Sequence, residues 1–309
     1  MLEPAVVVLR LMQYAGAMIL MGSSLFFLYA LPRTTVAAEP PAPSARRLIA
    51  TAAALLALGG AVGLLAQTSV MAGSVAEGLK RESLEAVITG TALGKAGVVR
   101  VLAAVLALVL VLALRPGRLS WRLSAFLGAV TTASFAWSGH AAASEGAGKA
   151  VHLAADVAHG WAAAAWVGAL AAFFLWLRPQ AVVARSAAEL HGALHGFAGV
   201  GTALVAVLIA TGLINSWFLV GPGRIEGLVT TPYGRLLSLK ILLFVAMLGL
   251  AAVNRFRLTP RLGRVLAMPE GQAAPLAALR RSVAIETAVG IGVLALVAWF
   301  GTLAPPSAL

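Results

Sequence analysis

Residues 93–114, LGKAGVVRVLAAVLALVLVLAL, decide the fold class of this chain. A helix of about 20 mostly apolar residues crosses a hydrocarbon core of about 30 Å, and this run has that length. Further runs of similar length and composition occur at 5–31, 48–70, 119–138, 151–177, 197–220, 236–253 and 283–303. The sequence therefore predicts an all-α, polytopic integral membrane bundle of about eight transmembrane helices.

The composition of the 309 residues excludes a soluble globular protein. Hydrophobic residues make up 61%, charged residues make up 11%, and the mean hydropathy is +0.94, whereas soluble domains carry about 45–50% apolar and about 25% charged residues. We interpret the net charge of +12 as basic loops beside anionic lipid and not as a nucleic-acid surface. No cysteine is present, which excludes disulfides and thiolate metal sites.

The distribution of Lys and Arg predicts the orientation of the bundle. Loops one, three, five and seven hold 14 such residues, and the remaining loops hold seven when Lys95 and Arg100 are counted with them. Both termini are therefore expected on the periplasmic side of a bacterial membrane. We expect a single transmembrane domain over 1–309, with spans one to four in 1–138 and spans five to eight in 139–309. An amphipathic pattern at about 74–90 predicts a helix on the outer surface.

Scarce polar residues gather near the outer ends of spans four and five. His152, Asp156 and His159 have the spacing i, i+4, i+7, so they share one face of a helix, and His140 lies at the outer end of span four. Imidazole is the commonest metal ligand, and a carboxylate either ligates the ion or orients a ligating ring. This group predicts an open site for copper or zinc. A buried polar network that fixes helix register, or hydration among lipid headgroups, explains the same spacing equally well.

Weaker candidates lie elsewhere in the chain. His191 and His195 form a second i, i+4 pair at the start of span six, either as a metal exit site or as interfacial side chains. Thioethers hold Cu(I), so the methionines of the first two spans are either ligands or packing residues: Met12, Met18, Met21 and Met71.

Three charged residues are expected inside the spans. Arg10 and Glu286, which belong to the terminal spans, are expected to form an ion pair, with a proton or counter-ion relay as the alternative. Lys240 is expected to extend toward the membrane surface. The sequence contains no phosphate-binding loop, no aspartyl-phosphate motif and no Cys-Pro-Cys, so we predict neither an ATP-driven pump nor an enzyme.

A series of short motifs resembles the bacterial copper-resistance protein D (CopD) family, most clearly over about 137–304. In order they are GHA at 139–141, HLAADVAH at 152–159, GLINSW at 212–217, TPYGRLLSLK at 231–240, NRFRLTP at 254–260 and RRSVAIE at 280–286. The resemblance implies a multi-pass inner-membrane protein that handles or moves copper ions, often beside a periplasmic copper-binding partner of the CopC type. It also implies that His140, His152 and His159 are ligands.

Three functions remain open from the sequence. The first is copper transport, with copper received at His140 and His152 beside Asp156 and passed inward through His159. The second is a haem-carrying redox protein, in which His140 or His159 pairs with His195 as axial ligands. The third is a membrane scaffold that docks a periplasmic copper chaperone through the helix at 74–90.

Overall fold

The computed structural model describes residues 3–30, 43–139, 146–178 and 187–308, and within these ranges it contains helices and no strand. In chain order the α-helices are α1 (Glu3–Ala30), α2 (Pro43–Met71), α3 (Val75–Gly78), α4 (Arg81–Gly90), α5 (Ala92–Ala113), α6 (Arg118–Ser134), α7 (Lys149–Trp176), α8 (Ala187–Leu219), α9 (Gly227–Thr230), α10 (Pro232–Val253), α11 (Thr259–Arg264) and α12 (Ala273–Phe300). A π-helix, Asn254–Leu258, joins α10 to α11. The predicted all-α bundle is confirmed.

Within the described ranges, seven helical segments are long and apolar enough to cross a membrane. They are α1, α2, α5, α7, α8, α12 and the segment Pro232–Arg264, which joins α10, the π-helix and α11. The remaining predicted span is α6, whose 17 residues continue into the 3-10 helix Phe135–Ser138. Together these two segments rise about 33 Å, enough to cover a hydrocarbon core.

The two ends of the chain lie at the same end of the bundle. An ideal Cβ on Gly301, just after α12, would lie 2.9 Å from Nη1 of Arg10, near the start of α1. Eight crossings bring the chain back to its starting side, so this contact agrees with α6 as a crossing. We call this end the terminal face, and the other end the opposite face.

Helix α1 is the centre of the bundle and packs against α2, α6, α7 and α12. Its contact with α7 is backbone to backbone: an ideal Cβ on Gly22 would lie 1.8 Å from the carbonyl oxygen of Ala164, and one on Gly168 would lie 2.3 Å from the carbonyl carbon of Gly22. Ser23 Oγ donates a hydrogen bond of 2.8 Å to the Gly168 carbonyl. Small residues allow this approach in a membrane, where helix association depends on close packing and not on hydrophobic burial.

An aromatic core joins α1, α6 and α7 near the opposite face. Phe26 makes edge contacts with Phe173 and Trp176 at 4.7 and 4.9 Å between ring centroids, and Phe27 packs on Trp121 at 5.4 Å. These geometries are the favourable ones for aromatic pairs. Nearby, Met21 is buried against Gly128 of α6, as a packing residue would be, whereas Met71 is exposed.

Helices α8 and α10 lie at the periphery of the bundle. In each, only 11% of the most apolar stretch is buried, against 33–44% in the other long helices. Large apolar side chains such as Leu213 and Leu242 are more than 60% exposed. Such a surface is stable when lipid chains are its solvent.

Residues 74–90 form two short helices at the terminal face, α3 and α4. The hydroxyl of Ser74 accepts from the Glu77 amide and caps α3. Two ion pairs occur here, between Glu77 and Lys80 and between Arg81 and Glu85. Both pairs are exposed and contribute little to stability.

The close contact between α1 and α7 makes Gly168→Ala destabilising. The added methyl group meets the Gly22 backbone, which cannot move aside without separating the helices, and overpacking of this kind costs about 1–3 kcal/mol. We expect a thermal midpoint lower by several degrees in detergent solution. The matched control is Gly249→Ala in α10, where nothing lies within 4 Å of the added Cβ; equal midpoints for the two variants would contradict the prediction.

Candidate functional site

The predicted ligand face of α7 lies against α8. His152 is 2% exposed, and its ring stacks on that of Phe218 with 4.6 Å between centroids and 5° between planes. One turn deeper, the side-chain amide of Asn215 lies 3.5 Å from Oδ1 of Asp156. The two helices therefore meet residue by residue along this face.

His159 continues the same face one turn further. Its Nδ1 lies 3.0 Å from Oγ1 of Thr211, and that hydroxyl donates to the Val207 carbonyl at 2.6 Å. Because the hydroxyl hydrogen is used toward Val207, the hydroxyl oxygen accepts from Nδ1–H of His159. We therefore assign the proton to Nδ1, which leaves the Nε2 lone pair of the imidazole available to a metal ion.

Lys240 of α10 completes this polar group. It interacts electrostatically with both Asp156 and His159, and its Nζ lies 5.8 Å from the centre of the Phe300 ring. Phe300 is the last residue of α12, at the terminal face, and Lys240 is half-buried, so its extension toward the membrane surface stays a prediction while its charge acts on Asp156. Tyr233, at the start of α10, is 1% exposed and also interacts with Asp156.

The described ligand candidates form a column and not a cluster. Among the residues that the structure describes, no three His, Asp or Glu side chains are close enough to hold one metal ion. His140, the remaining predicted ligand, lies outside the described residues. Along α7 the steps from His152 to Asp156 and from Asp156 to His159 are about 6 Å and about 4.5 Å.

A second buried polar group lies deeper on the same face of α7. Trp166, seven residues after His159, donates from Nε1 to Oε1 of Glu286 at 3.0 Å, and the Asn254 amide donates to Oε2 at 2.9 Å. Glu286 is 2% exposed. Asn254 opens the π-helix, a local distortion that is frequent at functional sites.

The expected ion pair between Arg10 and Glu286 is wrong. Arg10 lies beside Gly301 at the terminal face, and Glu286 is fifteen residues earlier along the chain, about 22 Å deeper along α12. The two side chains belong to terminal spans but to different depths of the membrane.

At the opposite face, His191 and His195 line a cavity of about 490 Å³ together with Arg255. The two imidazole rings are 6.1 Å apart and nearly parallel. Arg255 donates to the Ala198 carbonyl at 3.2 Å and to the hydroxyl of Thr202. The pair proposed from sequence therefore lies beside a cavity, with one fixed cation next to it.

The sequence reasoning missed the groups that face the predicted ligands. Thr211 and Asn215 are four residues apart in span six, the same spacing as His152 and Asp156, and this matching period was the available signal. Arg100 was counted with the loops, but it is 6% exposed and lies inside α5. Its position within an apolar run was the signal for burial.

These features define a class of protein. A helical bundle with an apolar outer surface carries, in its interior, a line of imidazole, carboxylate, amide and ammonium groups. Ionisable side chains are costly within a membrane and generally mark ion or substrate pathways. The architecture is that of a polytopic membrane protein built to handle a small ion.

The chain belongs to the copper resistance protein D family. The model for the copper resistance protein D-like N-terminal domain matches residues 1–151, and the copper resistance protein D model matches residues 191–300. Copper resistance protein D of Pseudomonas syringae pv. tomato is 37% identical over 315 residues, which cover 98% of this chain and 97% of that protein. The resemblance stated from the motifs is confirmed.

Two further relatives cover part of the chain. Inner membrane protein YebZ of Escherichia coli (strain K12) is 32% identical over 57% of this chain and 58% of its own length. Copper transport protein CutJ of Bacillus subtilis (strain 168) is 31% identical over 55% of this chain and 28% of its own length. No solved structure matches significantly. Together with the apolar helices, these relatives identify a multi-pass protein of the inner membrane.

The hydrogen bonds around Glu286 predict different effects for two substitutions. Glu286→Leu leaves the Trp166 indole N–H and the Asn254 amide without an acceptor, at a cost of about 1–3 kcal/mol for each stranded group. Glu286→Gln keeps one acceptor, and rotation of the Asn254 amide lets its buried, unpartnered Oδ1 accept from the new amide. We expect a clear drop of the thermal midpoint for Leu and a smaller one for Gln; the reverse order would contradict this account.

Proposed function

We propose that this protein transports copper ions across the inner membrane, without ATP hydrolysis, along the column formed by His152, Asp156 and His159. A copper-related function in the membrane follows from the family and from the helices. The relative from Bacillus subtilis is named a copper transport protein. The observation that carries the proposal is the column itself, because its imidazole and carboxylate groups follow one another along one face of α7 inside the bundle.

Copper is received at the terminal face, which we take as the periplasmic side. His140 and His152 are the first ligands, since imidazole suits both common valences of copper. A periplasmic copper-binding protein of the CopC type is the expected donor, and α3 and α4 offer it an exposed charged surface at this face. No chemical conversion of the ion is proposed, so the protein is a transporter and not an enzyme.

Lys240 acts as a tethered substitute for the transported cation. Without copper, its ammonium group compensates the carboxylate of Asp156, so that neither charge is isolated in the membrane. An arriving copper ion takes this place between Asp156 and the free Nε2 of His159 and repels the ammonium group. The same repulsion limits how long the ion stays, and conduction requires binding that is weak enough to allow release.

The ion then continues past Glu286 toward the opposite face. Glu286 is the next buried carboxylate on this side of α7, and the cavity beside His191 and His195 opens beyond it. We propose this histidine pair as the exit site. Fixed positive charge on Arg255 favours release there, because it weakens cation binding at the adjacent imidazoles.

Substitution of the column histidines tests the proposal. We expect His152→Ala and His159→Ala each to reduce copper uptake into proteoliposomes about tenfold or more, as loss of a metal ligand or its support does. Uptake is measured by elemental mass spectrometry at matched protein content. The control is Thr211→Val, which removes the hydrogen bond to His159 and keeps the imidazole.

The control separates a ligand from a structural residue. If His159 binds copper, Thr211→Val lowers uptake less than His159→Ala does, because the imidazole stays although it loses the hydrogen bond that orients it. If His159 serves only to hold α7 against α8, both variants lose uptake and thermal stability together. Normal copper uptake in both histidine variants would overturn the proposal, and stoichiometric iron with a Soret band would replace it with the haem function.

Removal of the Lys240 ammonium group is expected to increase the amount of copper that the protein retains. In Lys240→Met the column lacks the ammonium group that competes with copper, so we expect more copper retained by the purified protein and slower release in uptake assays. The control is Lys149→Met at the exposed start of α7, which removes the same charge outside the column. Unchanged copper retention in Lys240→Met would show that the ammonium group does not compete for the site.

A further inference from the structure

A cavity of about 50 Å³ lies in the first half of the bundle, toward the terminal face. It is bounded by α1, α2, α5 and the 3-10 helix Phe135–Ser138, and none of its lining residues belongs to α7, α8 or α10. Its polar lining consists of Arg10, Gln13, Tyr14, Gln67, Arg100 and Ser138. The cavity is therefore separate from the proposed copper column.

Arg100 lines this cavity, and its buried side chain is held in place by several hydrogen bonds. Its guanidinium donates to Oε1 of Gln13 at 2.8 Å, to the Ser134 hydroxyl at 2.9 Å and to the Ser138 hydroxyl at 3.0 Å. It also lies 3.9 Å from the centre of the Phe135 ring. These partners are all neutral, so they orient the guanidinium without compensating its charge.

Arg10 brings a second positive charge to the same cavity. Its Nη1 is buried beside Gly301, at the end of α12, and has no hydrogen-bond partner among the described residues. The two guanidinium groups repel each other, and among the side chains that the structure describes no carboxylate forms an ion pair with either. Two uncompensated like charges within a membrane protein are costly, because burial removes the water that would otherwise screen them.

The cavity has the size and polarity to remove this cost. A cavity holds one water molecule when about 10–15 Å³ is open to the centre of that molecule. By the same measure this cavity has about 50 Å³, so it has room for an ion larger than a water molecule. Leu93, in the first turn of α5, is part of the lining, so the positive end of that helix adds to the potential. The described lining therefore carries two positive charges and no carboxylate.

We propose that this cavity binds an anion, held by the guanidinium group of Arg10 and the neighbouring polar groups of Tyr14 and Gln67, with Arg100 as a buried counter-charge. The shared chemistry is a small negatively charged group with oxygen or halide acceptors. Its source is either a free anion such as chloride or the phosphate of an anionic lipid headgroup. Binding compensates the two guanidinium charges and stabilises the packing of α1 against α2 and α5.

Thermal stability of the delipidated full chain in neutral detergent tests the proposal. In one arm chloride replaces gluconate at constant ionic strength, and in the other phosphatidylglycerol is added without chloride. A ligand that binds only the folded state raises the midpoint saturably, and we expect a rise of at least about 3 °C in one arm. Arg10→Gln should abolish the rise, whereas Arg115→Gln, at an exposed arginine, should retain it.

The two arms identify the source, and either supports the proposal when Arg10→Gln removes the effect. A wild-type midpoint that responds to neither ligand overturns it, as does an equal rise in Arg10→Gln. Should Arg10→Gln fail to fold, Tyr14→Phe removes one donor without a change of charge and should weaken the apparent affinity at least about threefold. An unchanged affinity in that variant also overturns the proposed site.

Discussion

The backbone contact between Gly22 of α1 and Gly168 of α7 sets the rotation of α7, and the internal arrangement of the bundle depends on it. At about 100° per residue, Gly168 lies nearly opposite His152 and His159 around the helix axis. When one side of α7 is fixed against α1, its polar side has to face α8, α10 and α12. The contact of two glycines therefore determines which helices surround the proposed copper column, although neither glycine touches it.

The proposed copper column and the cavity beside Arg10 differ in how their buried charges are compensated. In the column, the opposite charges of Asp156 and Lys240 act on each other, and in the proposed transport an incoming cation exchanges with the ammonium group. In the first half, Arg10 and Arg100 face one cavity without a described acidic partner. The first arrangement suits a cation that binds briefly and is released. The second suits an anion that stays bound. The low dielectric of the membrane makes both arrangements energetically consequential.

Sequence reasoning recovered the spans because apolar run length is imposed by the thickness of the bilayer. It also recovered the common face of His152, Asp156 and His159, because helical period is a local property. It did not identify Thr211 and Asn215 as their neighbours, since period carries no information about which helix packs opposite. The predicted pairing of Arg10 with Glu286 was wrong. It rested on the fact that both residues belong to terminal spans and did not take into account how deep each residue lies in the membrane. Arg100 was missed because a charge within an apolar run was taken as the edge of the run.

The peripheral position of α8 and α10 has a mechanical consequence. The frame of α1, α2, α5, α6 and α7 is closely packed, whereas only 11% of the apolar stretch of α8 and of α10 is buried. Separation of α8 from α7 breaks the contacts along the column, while the rest of the α8 surface stays in lipid. Part of the work of opening the proposed column is then done against the lateral pressure of the bilayer, and this part varies with acyl-chain length because hydrophobic mismatch costs a fraction of a kcal/mol per Å. For the proposed transport, membrane composition is then expected to influence the rate at which copper passes along the column.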